Sequence, residues 1–425
     1  MEEQYLKALE EKLKPAIGCT EPIAIALAGA LAASNSQGSW IKAINVKASG
    51  NIIKNAMSVI IPGTRDTGIV MAVLLGVLSK VHSHQQLEVL KGVDSVMITE
   101  AKRLEGLGLV TLEVADTPKK LYIEVILTTD KDLVRTVIQD GHTNLTLVEV
   151  DGLVVFTKDD LVSQGGLDFS LDFMTLDGII EFVDTIDLDS LGLIRESIRM
   201  NRAIAEEGLR GSYGLEVGKT ARKYKDSGML GQGIANQAIA LTAAGSDARM
   251  SGVMLPAMSN SGSGNQGITA TLPVVAVGEK MGLEEEKIIR GAALSNLVSI
   301  YIKDRFGVLS ALCGATVAAT GASCGITYLL GGDGAQIKMA IKNMIGNLAG
   351  IVCDGAKPGC AFKVANCAGS AVNAALLAID GHQIGGGEGI VAGTAEETIE
   401  NFCRISREAS TDLDKIILDI MVGHE

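Results

Sequence analysis

The spacing of apolar positions changes along this chain. Residues 3–14 repeat at helical spacing and stop at Pro15, and an alanine-rich helix is predicted over Ile23–Ala33, just after Gly18-Cys19-Thr20-Glu21-Pro22. Alternation then predicts a strand over Trp40–Ala48, followed by helices over about Gly68–Leu78 and Leu87–Leu104. Strand patterns recur at Val110–Val114, Leu121–Thr128 and Leu133–Gln139. Two further β runs, Leu145–Val150 and Leu153–Thr157, flank Asp151-Gly152, the pairing that a type I′ hairpin turn requires. Between Lys158 and Arg195 the chain has nine acidic residues and no basic one, the composition of a solvated helical connector. Beyond about residue 190 the β signal fades into apolar helical segments broken by glycine. The pattern therefore predicts an α+β N-terminal domain, residues 1–190, followed by a mainly α-helical C-terminal domain, residues 191–425.

Composition narrows the classes of function. With 47% apolar and 20% charged residues in 425, the chain has ample surface to bury and is not disordered. Fifty glycines against 3% aromatic residues mean that close backbone approach replaces large side chains in the core. A net charge of −13 and the lack of a basic run argue against a nucleic-acid partner. Met250–Gly278 and Phe306–Gly332 are free of charge and long enough for a bilayer, but Pro256, Pro273 and the scattered Ser, Thr and Cys fit buried helices, so no membrane partner is expected. Seven cysteines, with no export signal at the N-terminus, predict free thiols and a cytoplasmic setting. Glycine- and alanine-rich helices also suit packing in a homodimer.

Three segments carry candidate chemistry. Cys313, Cys353 and Cys360 have the spacing C-x39-C-x6-C, with the last two flanking a Gly- and Pro-bearing loop. Three thiolates suit a soft metal or an iron–sulfur cluster, and equally three free thiols, since the spacing matches no zinc-ribbon pair. At Gly18–Pro22, Thr20 is placed to cap the following helix, whose N-terminus attracts a carboxylate and lowers the pKa of Cys19. In Leu255–Gly267 the formal G-x-G-x-x-G lacks the preceding strand and the later acidic residue of a dinucleotide site, which leaves Asn260, Ser261 and Asn265 to hold a small carboxylate or to form a plain loop. Polar clusters at strand ends, Ser49–Asn55 with Asn51 and Asn55, and Gly141–Asn144 with His142 and Thr143, are placed either to contact a polar ligand or to form turns. His82, His84, His382 and His424 read as solvated.

These segments together resemble the L-cysteine desulfidase family and its close bacterial relatives along the whole chain. The marks are Gly18–Pro22, Lys54-Asn55 with Ile61-Pro62-Gly63-Thr64, Gly141–Asn144, Ser246–Met250, Leu255–Thr271, Leu309–Cys313 and Cys353-Asp354-Gly355. A more distant likeness is to the iron–sulfur L-serine dehydratases, whose Ser-His-Thr-x-Gly-Pro motif is similar to Gly18–Pro22 with Cys19 in place of the histidine. The resemblance implies a [4Fe–4S] cluster on Cys313, Cys353 and Cys360, with one iron left open as a Lewis acid. It implies β-elimination from a small amino acid, L-cysteine to pyruvate, ammonia and hydrogen sulfide, or L-serine by the same route. Cys19 is then the candidate base, with Thr20, Asn51, Asn55, His142, Thr143, Asn260, Ser261 and Asn265 around the substrate. A pyridoxal phosphate enzyme, in which no lysine stands out as the Schiff-base residue, a structural zinc protein and a non-catalytic amino-acid sensor are the competing classes.

Overall fold

The computed structural model describes residues 1–158, 169–307 and 309–422. Part of the acidic connector, 159–168, and His424 lie outside the described residues. The first part of the chain runs α1 (Glu2–Lys12), β1 (Leu13–Ala16), α2 (Thr20–Asn35), β2 (Ile41–Ala48), α3 (Gly50–Ala56), α4 (Ile69–Leu78), α5 (Ser95–Gly106), β3 (Val110–Val114), β4 (Tyr122–Thr129), β5 (Leu133–Gln139), β6 (Leu145–Val150) and β7 (Leu153–Thr157). It continues as α6 (Leu176–Thr185), α7 (Gly192–Arg210), α8 (Val217–Asp226), α9 (Ile234–Met250), β8 (Ala257–Asn260), α10 (Gly264–Lys280), α11 (Glu285–Phe306), α12 (Gly314–Leu329), α13 (Gly334–Leu348), α14 (Cys360–Ile379) and α15 (Ala395–Val422). An α/β region is thus followed by a mainly helical one.

Six strands form one sheet in the order β3-β2-β4-β5-β6-β7, antiparallel except for the parallel β2–β3 pair. The β6–β7 turn is the Asp151-Gly152 hairpin, with φ of 50° and 79° at its two central residues. One face of the sheet is apolar (Ile44, Val46, Ile123, Val125, Val134, Ile138) and is covered by α2, into which Thr136 Oγ1 donates at the Ala28 carbonyl (3.0 Å). The other face is polar, with Arg135 paired to Glu124 (2.7 Å) and Glu149 (2.5 Å). Helix α2 is apolar on all sides because it is buried on all sides, between the sheet and α4. A Cβ on Gly76 of α4 would strike the backbone of Ala26, so only glycine permits that approach.

The helical region buries α9 to α12 almost completely. Gly321 and Gly325 of α12 lie on the Ser295 and Gly291 carbonyls of α11, so small residues set the interhelical distance. This explains the two charge-free stretches: they are core. Helix α14 alone among the described helices is long and apolar enough to cross a bilayer, and 56% of that stretch is buried against its neighbours. Helices α1 and α6 pack in this helical core as well, through Tyr5, Leu9, Ile179 and Phe182.

Two connections place the site. Strands β1 and β8 pair antiparallel, Leu13 opposite Asn260 and Ala16 opposite Ala257, and fasten the 257–263 loop to the start of the chain. The sequence pattern shows neither strand, since each is four residues long and one contains Pro15. At the other end, α15 lies against α3, α11 and α13. Its Ser406 and Ser410 meet Ser310 (2.8 and 2.9 Å), and Ser410 Oγ accepts the Ala311 N–H (3.0 Å). Helix α15 thereby holds the segment that leads into Cys313.

Candidate active site

Gly18 begins the first cluster. Its φ is +71°, and a Cβ there would overlap the Pro62 ring, so the turn into α2 requires glycine. Cys19 is the N-cap of α2 and Thr20 is its first helical residue, which corrects the expectation that Thr20 caps the helix. Thr20 Oγ1 instead donates to Glu21 Oε2 and to the Gly262 carbonyl (3.1 Å each), tying α2 to the 257–263 loop. Glu21 is the centre of the cluster. Its carboxylate accepts from Cys19 Sγ (3.1 Å) and from Asn55 Nδ2 (3.0 Å). Burial acts to raise the Glu21 pKa, but His142 in its protonated form and the donors from Cys19, its own backbone and Thr20 outweigh it, and the carboxyl is held below its ordinary value.

This reverses the expected state of Cys19. Burial, and then the neighbouring Glu21 charge, push the thiol well above its ordinary pKa, although Arg249 acts in the opposite direction. Cys19 is a protonated donor to a carboxylate rather than a resting thiolate. The helix N-terminus does not win because an anion already sits beside it. Burial pushes His142 the other way, below 6.5, against the pull of Glu21, so its imidazole is neutral at neutral pH. His142 Nε2 and Asn55 Oδ1 are buried with no hydrogen-bond partner.

The loop at 257–263 turns sharply at Ser261 (φ 49°) and Gly262 (φ 85°). Asn260 is spent on this geometry. Its Nδ2 donates to Asn296 Oδ1 (3.0 Å), and its Oδ1 accepts from Ser261 Oγ (2.9 Å) and Gln266 Nε2 (3.2 Å). Asn265 bonds Ser246 (3.2 Å) and the Met250 sulfur (3.3 Å). Asn51 is likewise taken up elsewhere: with its amide oriented to donate, it reaches Asp414 (2.8 Å). Ser261, Gly262, His142 and Thr143 line a cavity of ≈ 330 Å³ together with Lys12, Lys14 and Lys303. Burial lowers Lys303 to about 8, against the opposing influence of the nearby Cys353, Cys403 and Cys313. No sequence signal marked this lysine.

Cys313, Cys353 and Cys360 form the second cluster. An antiparallel bridge between Leu312 and Val352 sets the first two on adjacent segments, with the Cys313 N–H donating to Ile351 (2.8 Å) and the Cys353 N–H to Ala311 (2.7 Å). Cys313 is the N-cap of α12, and Cys360 opens α14. Burial raises the Cys313 thiol well above its ordinary value, and charges on Cys353, Cys367 and Cys360 raise it further. Lys54, 1% exposed, donates to the Cys353 carbonyl (3.1 Å) and pairs with Asp414 (2.5 Å). Cys360 packs beside Cys19, Val59 and Met250, so the two clusters are contiguous. Cys324, Cys367 and Cys403 are fully buried in helices, as small apolar side chains.

The serine dehydratase alpha chain family matches residues 75–419, more than three quarters of the sequence. The chain belongs to the serine dehydratase alpha chain family. Relatives similar over nearly their whole length are UPF0597 proteins. That of Oleidesulfovibrio alaskensis is 44% identical over 422 residues, 99% of this chain and 98% of the relative. PBPRB0240 of Photobacterium profundum is 42% identical over 421 residues (99% and 98%), and that of Clostridium perfringens is 42% identical over 423 (99% and 98%). Membership places the chain with serine dehydratase-like lyases at the level of the family.

Serine dehydratases of this family are iron–sulfur enzymes, and Cys313, Cys353 and Cys360 are the residues that would hold such a cluster here. Among the described residues no three His, Cys, Asp or Glu converge as ligands of a single ion would. A four-iron cluster takes its ligand sulfurs at separate corners, so it asks for a wider set. The donor chemistry fits: three free thiols close enough to perturb one another, with the ammonium groups of Lys303 and Lys363 beside them to offset negative charge.

Asp247, two residues before Arg249 on α9, faces away toward α8, where its Oδ2 accepts the Gly218 N–H (2.9 Å). Burial raises it from 3.8 to about 7, despite that bond. The folded state therefore binds this proton more tightly than the unfolded chain, and stability from this group is lost as pH rises from 3.8 to about 7. Asp247→Asn keeps the acceptor and removes the titration. Its melting temperature relative to the parent is expected to rise between pH 5 and pH 8; a pH-independent difference would refute the assignment.

Proposed function

We propose that this protein is an iron–sulfur β-elimination lyase that converts L-cysteine to pyruvate, ammonia and hydrogen sulfide. The observation that carries the reading is the contact between the two clusters: three free thiols suited to a [4Fe–4S] cluster lie directly against a pocket of acid–base groups, joined at Cys360 and Cys19. When bound by Cys313, Cys353 and Cys360, the cluster would supply a Lewis-acidic iron with a position not taken by these cysteines.

The chain's own residues do the rest. His142, neutral and with Nε2 unpartnered, is the base for the Cα proton. Cys19 stays protonated and fixes the orientation of the Glu21 carboxylate. Loss of the Cα proton and of the β-sulfur leaves aminoacrylate, which tautomerises and hydrolyses to pyruvate and ammonia. The seven free cysteines suit a reducing, cytoplasmic setting.

L-serine is the second reading, favoured by the family match itself. The test is anaerobic reconstitution with iron and sulfide, then assay of pyruvate and sulfide from L-cysteine beside L-serine. Pyruvate with equimolar sulfide supports the proposal, and pyruvate from L-serine alone supports the second reading. Amino-acid binding without turnover, in protein with a full cluster, would overturn both and favour a sensor.

A further inference from the structure

Beside Gly18 and Cys19 lies a buried cation that the proposed mechanism leaves unused. Arg249, in the last turn of α9, is 3% exposed. A guanidinium cannot shed its charge, and a buried charge without a partner is costly. Among the described residues no carboxylate pairs with it. Its Nη2 donates to the Gly18 carbonyl (2.8 Å), its Nη1 meets the Met250 sulfur (3.5 Å), and its Nε has no partner. Nor is its position accidental. A Cβ on Gly264, the first residue of the 17-residue helix α10, would strike Nε and Cζ, so the guanidinium lies directly against the N-terminal turn of that helix. Side-chain charge and helix dipole thus point at one place, and both favour an anion.

The opposite pole is negative. Glu21 keeps its charge, and Asn55 and His142 present unpartnered acceptors beside it. Cys19 is close to both poles: its Sγ donates to Glu21 (3.1 Å), and Arg249 acts on it with the opposite sign. Because Glu21 already occupies the start of α2, a ligand carboxylate placed there would meet a like charge. The start of α10 is the alternative, and it adjoins the thiols: Gln266 Oε1, itself unpartnered, lies 2.9 Å from where a Cβ of Gly314 would be, next to Cys313.

We infer that Arg249 anchors the substrate's carboxylate, and that the pocket is built for an α-amino acid zwitterion, with its ammonium toward Glu21 and Asn55. This rests on the proposed lyase function for the identity of the site, but its test reads binding. L-alanine carries both charged groups and no β-leaving group; ethylamine lacks the carboxylate. In calorimetry on the anaerobically reconstituted protein, L-alanine should bind and ethylamine should not. Arg249→Gln should weaken L-alanine by roughly 10–100-fold, the loss of charge-assisted bonds to a buried anion. If that variant does not melt cooperatively, Gly264→Ala, which displaces the guanidinium without removing it, is expected to weaken L-alanine in the same direction. In turnover, the effect should fall on KM for L-cysteine more than on kcat. No L-alanine binding to the wild type, equal binding of L-alanine and ethylamine, or an unchanged KM in a folded Arg249→Gln protein would overturn the inference. Arg249-dependent L-alanine binding without any lyase turnover would leave the anchor standing while the lyase reading falls. Turnover with a normal KM in Arg249→Gln would do the reverse.

Discussion

Lys54→Met is expected to destabilise the protein by about 3–5 kcal/mol, because it leaves Asp414 next to a buried methyl group with its charge uncompensated. Lys54 is 1% exposed and the Asp414 side chain 11%, so water cannot substitute for the lost ammonium. The measurement is urea unfolding of the single variant beside the double variant Lys54→Met with Asp414→Leu. The double variant should recover most of the loss, since replacing both ions by apolar groups removes the desolvation cost that one leaves behind. A double variant as unstable as the single would show that the pair is not the cause. The same lysine holds the Cys353 carbonyl, and the Lys54 carbonyl lies against Gly355. Iron retained after reconstitution should therefore fall in the single variant even under conditions where it stays folded.

His142→Gln should lower kcat by roughly 10²–10⁴-fold, the usual contribution of a positioned proton acceptor, with iron content unchanged. The wild-type pH profile supplies a second measure. Burial lowers the His142 pKa below 6.5, more than Glu21 raises it, so the active neutral form prevails at pH 7 and kcat/KM should decline only below pH 6.5. Cys19→Ala should cost less, because it removes a donor to Glu21 and leaves the acceptor in place. If Cys19→Ala is the more damaging change, and the wild-type profile instead rises with pH into the alkaline range, then Cys19 is the base after all.

Much of the fold was legible because local pattern decided it. Strands β3, β5, β6 and β7 fall at the residues where alternation and the Asp-Gly turn put them. Helix α2 starts three residues earlier than the alanine run suggested, since Thr20, Glu21 and Pro22 are buried as its first turn. The predicted helix Leu87–Leu104 begins only at Ser95: a 3-10 segment, Lys80–Glu88, ends near its start, and Asp94 caps α5 through the Val96 and Met97 N–H groups. What no pattern could show was which partners distant residues find. Glu21 stood in the Gly18–Pro22 motif, but that its carboxylate turns back onto Cys19, and so raises the thiol pKa, depends on Asn55 and His142 arriving from elsewhere. Asn260 looked like a ligand-binding amide because nothing in the sequence shows Asn296 beneath it. Asn51 and Asn55 are one helical turn apart on α3, yet the first is turned to Asp414 and the second to Glu21.

The pairing of β1 with β8 also bears on how the protein is made. Leu13 waits for Asn260, and Lys54 waits for Asp414, so chain ends that leave the ribosome first have their partners hundreds of residues later. At roughly 5–20 residues per second, the early segment spends tens of seconds without them. Closing such long loops is slow, though its entropic cost grows only with the logarithm of their length. The α2–sheet layer can form during synthesis. The pocket around Glu21, which also needs Arg249 and Gly262, and the thiols braced by α15 come together only as the last helix emerges, and cofactor insertion is therefore expected to follow synthesis rather than accompany it.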